Sequence, residues 1–275
     1  MHPVHPIAKK LVADIDEGYA NESRGEARCY IGASMAGTDC IAQMSLSLRG
    51  FPDVAPDPQL KRIFFAGHRI EDWVVFDLKK RADLRVYEKD DMTGRQHRRE
   101  WLNGHVSCHS DGLVDFEDGS GQAILEIKSM NDANFKKFQT VGVKSSHRRY
   151  YRQMQMMMAM FRIERSLFVA YNKNNSQYHA EIVSFDQEEW DTMYVKIQAA
   201  LDGQAVRVSA APEDWRCKSC FKRESCWNIP DVSPACQFCE HSFANKNGGW
   251  TCKLTGREAL DACDKYEMFR PTQKA

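Results

Sequence analysis

A chain of 275 residues can bury a substantial core, and its 38 basic against 38 acidic side chains exclude an overall electrostatic pull toward a polyanion, leaving nucleic-acid contact to local patches. No apolar run reaches the roughly 18 residues that cross a bilayer, and the opening MHPVHPIAKKLVADIDEG lacks the basic, apolar and small-residue order of a signal peptide, so a cytoplasmic protein is expected. Ten cysteines in a reducing compartment argue for metal ligation rather than disulfides, the more so because seven of them lie beyond residue 216.

Residues 3–20 carry a modest helical pattern, followed by the polar loop NESRGEAR. In IGASMAGTDCIAQMSLSLRG, Thr38 or Asp39 is expected to cap a helix of about ten residues ending near Gly50, and FPDVAPDP is a proline-punctuated link. Leu60, Ile63, Phe64, Ile70, Trp73, Val74 and Leu78 fall near helical spacing in PQLKRIFFAGHRIEDWVVFDLKKRA. Strand character follows in LRVYE, NGHVSCHSDG, LVDFE and QAILEIKS, with a turn from Gly119 to Gly121. Helices are predicted at 131–138 and 146–162, strands at SLFVAYNK and YHAEIVSF about an NNSQ turn, and a last helix over 187–202. This order describes an α/β (α+β) chain with a mixed central sheet flanked by helices. Past Ala210 periodicity fades while cysteine and glycine rise. The expected division is therefore a helix and loop at 1–30, a core at 31–210, and cysteine-rich segments at 211–230 and 231–275.

Within HSDGLVDFEDGSGQAILEIKSMNDANF, Asp111 ends one strand, while Glu126 and Lys128 are two apart in the next and share a face. A hairpin between LVDF and AILEIK gathers the three charges at one end of the sheet. Clustered carboxylates repel unless a cation sits between them, and oxygen ligands suit Mg²⁺ or Mn²⁺. A lysine beside such a site can help deprotonate a water or neutralise charge on a phosphate.

The order of GHRIE (67–71), SDG (110–112), EIK (126–128) and YYRQMQ (150–155), together with IGAS, LEIKSMN and VAYNKNNSQYHAE, resembles the PD-(D/E)XK nuclease superfamily in its RecB-like and lambda-exonuclease-like branch, phage-encoded members above all. The resemblance covers about residues 30–200. It implies a restriction-endonuclease-like fold and a metal-dependent DNA exonuclease acting in phage recombination, replication or DNA processing. It makes Asp111 and Glu126 metal ligands, Lys128 the catalytic lysine, Glu71 an acid from the preceding helix and the Ile127 carbonyl a further ligand. His68 shares a helix face with Glu71, so either or both could reach the ion. Gln153 and Gln155 resemble the family's glutamine motif, but Met157 and Ala159 stand where its tyrosine is expected. That departure leaves open which glutamine touches substrate. A catalytically silent protein that binds DNA or a host nuclease on the same fold is the alternative. A homo-oligomer, or a recombination or replication partner, stays open beside DNA itself.

Lys136, Lys137, Lys144, His147, Arg148, Arg149 and Arg152 cluster between the EIK lysine and the glutamines, interleaved with Tyr150 and Tyr151. Lys144, Arg148, Arg149, Tyr151, Arg152 and Gln155 are the candidates for gripping phosphates and stacking a base. The methionines at 154, 156, 157, 158 and 160 read as core filling. Cys217, Cys220 and Cys226 have C-x2-C-x5-C spacing, three thiolates that leave a tetrahedral set one ligand short. In iron-sulfur members of the family, of the AddB and CRISPR-adaptation types, the same triple follows the nuclease core and a lone cysteine precedes it. Cys40 matches that position, with Cys29 competing for it. The resemblance thus implies a 4Fe-4S cluster on Cys40, Cys217, Cys220 and Cys226, with zinc as the alternative. Cys236, Cys239, Cys252 and Cys263 read as a zinc-ribbon-like knuckle for a structural Zn²⁺, with His241 an alternative ligand. Cys108 reads as a plain thiol.

Overall fold

The computed structural model of the protein describes residues 5–22, 27–259 and 261–273. Helix α1 (Pro6–Asn21) opens on a proline, whose fixed φ suits a first turn. It buries none of its residues. The first two residues of the helix expected at 3–20, and residues 23–26 of the loop after it, lie outside the described residues.

Strand β1 (Ile31–Gly32), helix α2 (Ala33–Ala36) and helix α3 (Ile41–Leu48) follow. The residue capping α3 is Cys40, not Thr38 or Asp39. Thr38 Oγ1 instead accepts the Cys40 N–H at 3.3 Å, and the Asp39 carboxylate is taken by Arg152 at 2.7 Å and Lys196 at 2.6 Å. The expected long helix is α4 (Pro58–Leu78), with Asp57 accepting the Leu60 N–H at 2.7 Å and Pro58 in its first turn. Only Ile70, Val74 and Val75 of α4 are buried; Ile63, Phe64 and Trp73 are exposed.

The strands β2 (Leu84–Tyr87), β3 (Arg98–Trp101), β4 (Val106–His109), β5 (Gly112–Phe116) and β6 (Gly121–Met130) come next. They lead into helices α5 (Asp132–Ser146) and α6 (Arg148–Phe161), strands β7 (Arg165–Asn172) and β8 (Tyr178–Ser184), and helix α7 (Gln187–Leu201). The main sheet has the order β2-β5-β6-β7-β8. All its pairs are antiparallel except β6–β7, whose parallel crossover carries α5 and α6. The mixed sheet flanked by helices is thus present. On one face Ile70, Val74 and Val75 of α4 pack on Leu125, Ile127 and Val169; on the other, the methionines of α6 pack on Ile124 and Phe168. Helices on both faces explain why Ala123–Ile127 is a continuous buried run.

NGHVSCHSDG is not one strand. The chain breaks at Ser110–Asp111, and β4 belongs to a second sheet of order β1-β4-β3. Strand β3, RREW, was not expected, because three of its four residues are charged and exposed. Helix α5 runs well past residue 138, kinked at Gly142, whose φ of +70° frees the Val143 N–H to donate to Glu181 Oε2 at 2.8 Å.

Beyond α7 come helices α8 (Trp215–Lys218) and α9 (Arg223–Trp227) and the hairpin of β9 (Ser242–Ala244) and β10 (Trp250–Cys252). These segments pack on α3: Ala42, Leu46 and Phe51 share one apolar cluster with Ala205, Cys226, Phe238 and Phe269. Among the described residues no helix is long and apolar enough to cross a membrane.

Candidate active site

The site is made by a strand losing its neighbour. The β5–β6 pairing ends at Gly112 opposite Leu125, where β5 turns away toward β4. The next inward N–H of β6 has no strand to meet, and Asp111 replaces one: its Oδ2 accepts the Ile127 N–H at 2.7 Å. Beside it Glu126, 1% exposed, points toward α6, where Gln153 Nε2 donates to its Oε1 at 2.7 Å and Lys128 pairs with the same oxygen. The Lys128 ammonium also lies 5.5 Å from the centre of the Tyr150 ring, which stacks on His147. From the opposite face α4 brings Glu71, with His68 Nδ1 3.3 Å from its Oε2. His68, Glu71 and Asp111 line one cleft with Glu88, Lys89 and Gln96.

The electrostatics follow from burial. Desolvation, then the charges of Asp111 and Glu71, push the Glu126 carboxyl up to about 8, against the opposing pull of Lys128. Burial and the Asp111 charge raise Glu71 as well. Burial opposes the charge on Lys128, but Glu126 and Asp111 outweigh it, so the lysine is held firmly protonated. Three mutually repelling carboxylates around one strand end are a chemistry that a hard divalent cation relieves, and in that sense the residues fit Mg²⁺ or Mn²⁺. Among the described residues, however, no three His, Cys, Asp or Glu groups stand as a ready shell for a metal ion. The layering explains this at the acid cluster: Glu71 approaches from the α4 side and Glu126 from the α6 side, and Asp111 and Glu126 are engaged by protein donors.

Three of the expected DNA contacts are corrected. Arg152 is 4% exposed and bonded to Glu189 at 2.5 Å and Asp39 at 2.7 Å. Gln155 is fully buried, donating to the Ser184 carbonyl and accepting the Asp186 N–H. Tyr151 is buried with its hydroxyl on Asp186. All three fasten α6 to the β8–α7 junction and present nothing to a solvent-borne strand. Lys144, Arg148 and Arg149 remain on the surface, the first two paired with Asp186 and with the buried Glu189. Lys89, Gln96 and Tyr150 were missed as site residues; the polar run KDDMTGRQHRRE and the three-residue step from Tyr150 to Gln153 were the available signals.

Among the described residues the cysteines fall into two sets, neither drawn up as a finished metal shell. Cys40, Cys217, Cys220 and Cys226 line one cavity of about 200 Å³, together with cations that include Arg207 and Arg216. Burial pushes Cys220 up to about 11 and raises Cys226 and Cys217. Cys29 lies elsewhere, its thiol on the Ala27 carbonyl and against Gly50. Cys236, Cys239, Cys252 and Cys263 line a second cavity of about 20 Å³ with His241. Cys108 sits in the core, where burial pushes its thiol up to about 12.

No protein-family model matches the chain, and no curated protein matches it. Among solved structures, an alkaline exonuclease from Laribacter hongkongensis overlays with a TM-score of 0.46 at 19% identity, covering 67% of this chain and 90% of that one. A phage-related exonuclease from Haemophilus somnus overlays with a TM-score of 0.43 at 17% identity, covering 66% and 93%. Overlaps this loose transfer no activity.

Proposed function

We propose that the protein is a metal-dependent deoxyribonuclease, an exonuclease that hydrolyses phosphodiester bonds in DNA. The observation that carries this reading is the placement of Asp111, Glu126, Lys128 and Gln153 around the free end of β6, with Glu71 on the adjoining helix. A buried Glu126 carboxyl, raised by desolvation and by the Asp111 and Glu71 charges beside a protonated lysine, is unfavourable for folding alone, and such groups concentrate at functional sites. Glu71, Asp111, Glu126 and the Ile127 carbonyl would hold Mg²⁺ or Mn²⁺, with His68 at the rim of the cleft. The ion supplies Lewis-acid stabilisation of the reacting phosphate. Lys128 places a fixed positive charge where negative charge develops on the phosphate, Gln153 orients Glu126, and the Tyr150 ring lies beside the lysine. Lys144, Arg148 and Arg149 would guide the phosphate backbone.

The larger cysteine cavity suits a 4Fe-4S cluster on Cys40, Cys217, Cys220 and Cys226, with zinc the alternative, and the smaller suits one structural Zn²⁺. Residues 211–230 and 231–275 are then two metal-dependent segments built on a core at 31–210.

The test is degradation of end-labelled DNA with Mg²⁺ or Mn²⁺ against an EDTA control. Asp111→Ala and Lys128→Met should each lower the rate at least a thousandfold while circular dichroism stays native. Cleavage at the wild-type rate in either variant overturns the assignment. DNA binding without cleavage in any metal would instead mark a silent binding protein on this fold, a reading favoured by the closure of Glu126 onto Lys128.

A further inference from the structure

Arg49 follows the last turn of α3 and is 1% exposed. One of its terminal nitrogens donates to the carbonyls of Gln237 and Cys239, at 2.7 and 3.0 Å, and to the Ser242 hydroxyl at 2.8 Å; the other donates to the Ser242 carbonyl at 2.7 Å. The guanidinium lies between the Trp250 and Phe269 rings, 4.7 and 3.8 Å from their centres. Gln237 returns a bond to the Arg49 carbonyl at 3.3 Å. Every group it hydrogen-bonds or stacks on is neutral, and the Lys253 ammonium approaches the same corner beside Gly203. Among the described residues no carboxylate comes within ion-pair distance of Arg49, and Glu240, the nearest acid to influence it, is turned to the Arg270 N–H.

A buried cation with no ion-pair partner is unfavourable, and hydrogen bonds to carbonyls do not cancel that cost. The segment that Arg49 grips, Gln237 to Ser242, is the turn that carries Cys239 into the small cavity shared with Cys236, Cys252 and Cys263. Cys236 lies within electrostatic reach of the other three thiols, and backbone N–H groups of Leu254 and Thr255 point at the Cys252 sulfur. A cavity of about 20 Å³ has room for an atom-sized guest.

We propose that Cys236, Cys239, Cys252 and Cys263 hold one zinc ion, and that Arg49 is the positioning residue and counter-charge of that centre. Four thiolates around Zn²⁺ leave two negative charges, which the Arg49 guanidinium answers through the Cys239 carbonyl while fixing the turn that presents the sulfur. The inference rests on the zinc reading given above for this cysteine set and is independent of the nuclease reading, since neither its residues nor its measurement involve DNA.

The experiment uses the full chain purified with zinc. Elemental analysis should find one zinc fewer per chain in Cys252→Ser than in wild type, and an unchanged zinc content in that variant overturns the site. Zinc release to a chromogenic chelator should be at least tenfold faster in Arg49→Met than in wild type. The urea midpoint separates the counter-charge role from packing: Arg49→Met should lower the midpoint of the wild-type chain but leave that of Cys252→Ser unchanged or higher. An equal loss in both chains, or release at the wild-type rate, overturns the role of Arg49. Where Arg49→Met does not fold, Arg49→Lys decides, because it keeps the charge and loses the planar fork. Folded, zinc-loaded protein with severalfold faster release supports the proposal, and wild-type release overturns it.

Discussion

Asp111 is a structural residue before it is a chemical one: it closes the hydrogen bond that β6 loses when β5 departs. Glu126 has no such excuse, being fully buried, hydrogen-bonded and raised to about 8. A carboxyl whose folded pKa lies above its unfolded value near 4.5 binds more protons in the folded state between those two values. Its contribution to stability therefore falls as pH rises from about 4.5 toward 8, and Glu71 adds in the same direction. In EDTA, the unfolding free energy from urea titrations should drop between pH 5 and pH 8 by an amount on the order of a few kcal/mol. Glu126→Gln should remove most of that slope and also abolish cleavage; matching slopes in the two proteins would contradict the burial account. That Glu126 and Lys128 share a face of β6 was legible in the sequence, because period-two alternation fixes which residues of a strand point the same way. Arg152 and Gln155 were misread because a run of cations at a helix start says nothing about which residues face a neighbouring element, and their partners come from α7 and the β8–α7 junction, distant in sequence.

Helix α6 is held by ties that face away from the acid cluster. Arg152 and Glu189 form a buried pair, and removing one partner of such a pair costs about 3–5 kcal/mol. Arg152→Met should therefore lower the urea midpoint strongly, with a loss in DNA binding no larger than the loss of folded protein. Gly37, which ends α2, lies so close to α6 that an added Cβ would stand 2.7 Å from the Arg149 carbonyl. Gly37→Ala should destabilise by about 1–3 kcal/mol, since backbone cannot swing aside, whereas Gly94→Ala, with open space around it, should cost less despite its φ of +64°. Calorimetry of the two variants checks the order. Helix α4 and strands β6, β7 and β8 were readable from periodicity, while β3 was not, because strand pairing there is set by β4 and not by its own charged sequence.

The whole molecule carries no net charge, so attraction to a polyanion must be local. With Arg152 committed inside, Lys136, Lys137, Lys144, Arg148 and Arg149 are the exposed cations of this run on α5 and α6, and the salt dependence of DNA binding should count those that touch phosphate. Arg148→Ala with Arg149→Ala should reduce the slope of log affinity against log salt by about two, measured by fluorescence anisotropy; an unchanged slope would move the DNA path elsewhere. The two-faced core was foreseeable from the pattern of apolar residues. The attachment of the cysteine segments to α3 was not, because no local periodicity links Phe51 to Phe238 and Phe269 or Arg49 to Ser242. That attachment has a bearing on biosynthesis. A polypeptide emerges from the ribosome amino end first, so α3 is made long before the segments that shelter Leu46, Arg49 and Phe51. Through most of translation those side chains have nothing to close on, and a nascent chain stalled or trimmed near residue 210 would display them as a sticky, cation-bearing flank for chaperones to hold.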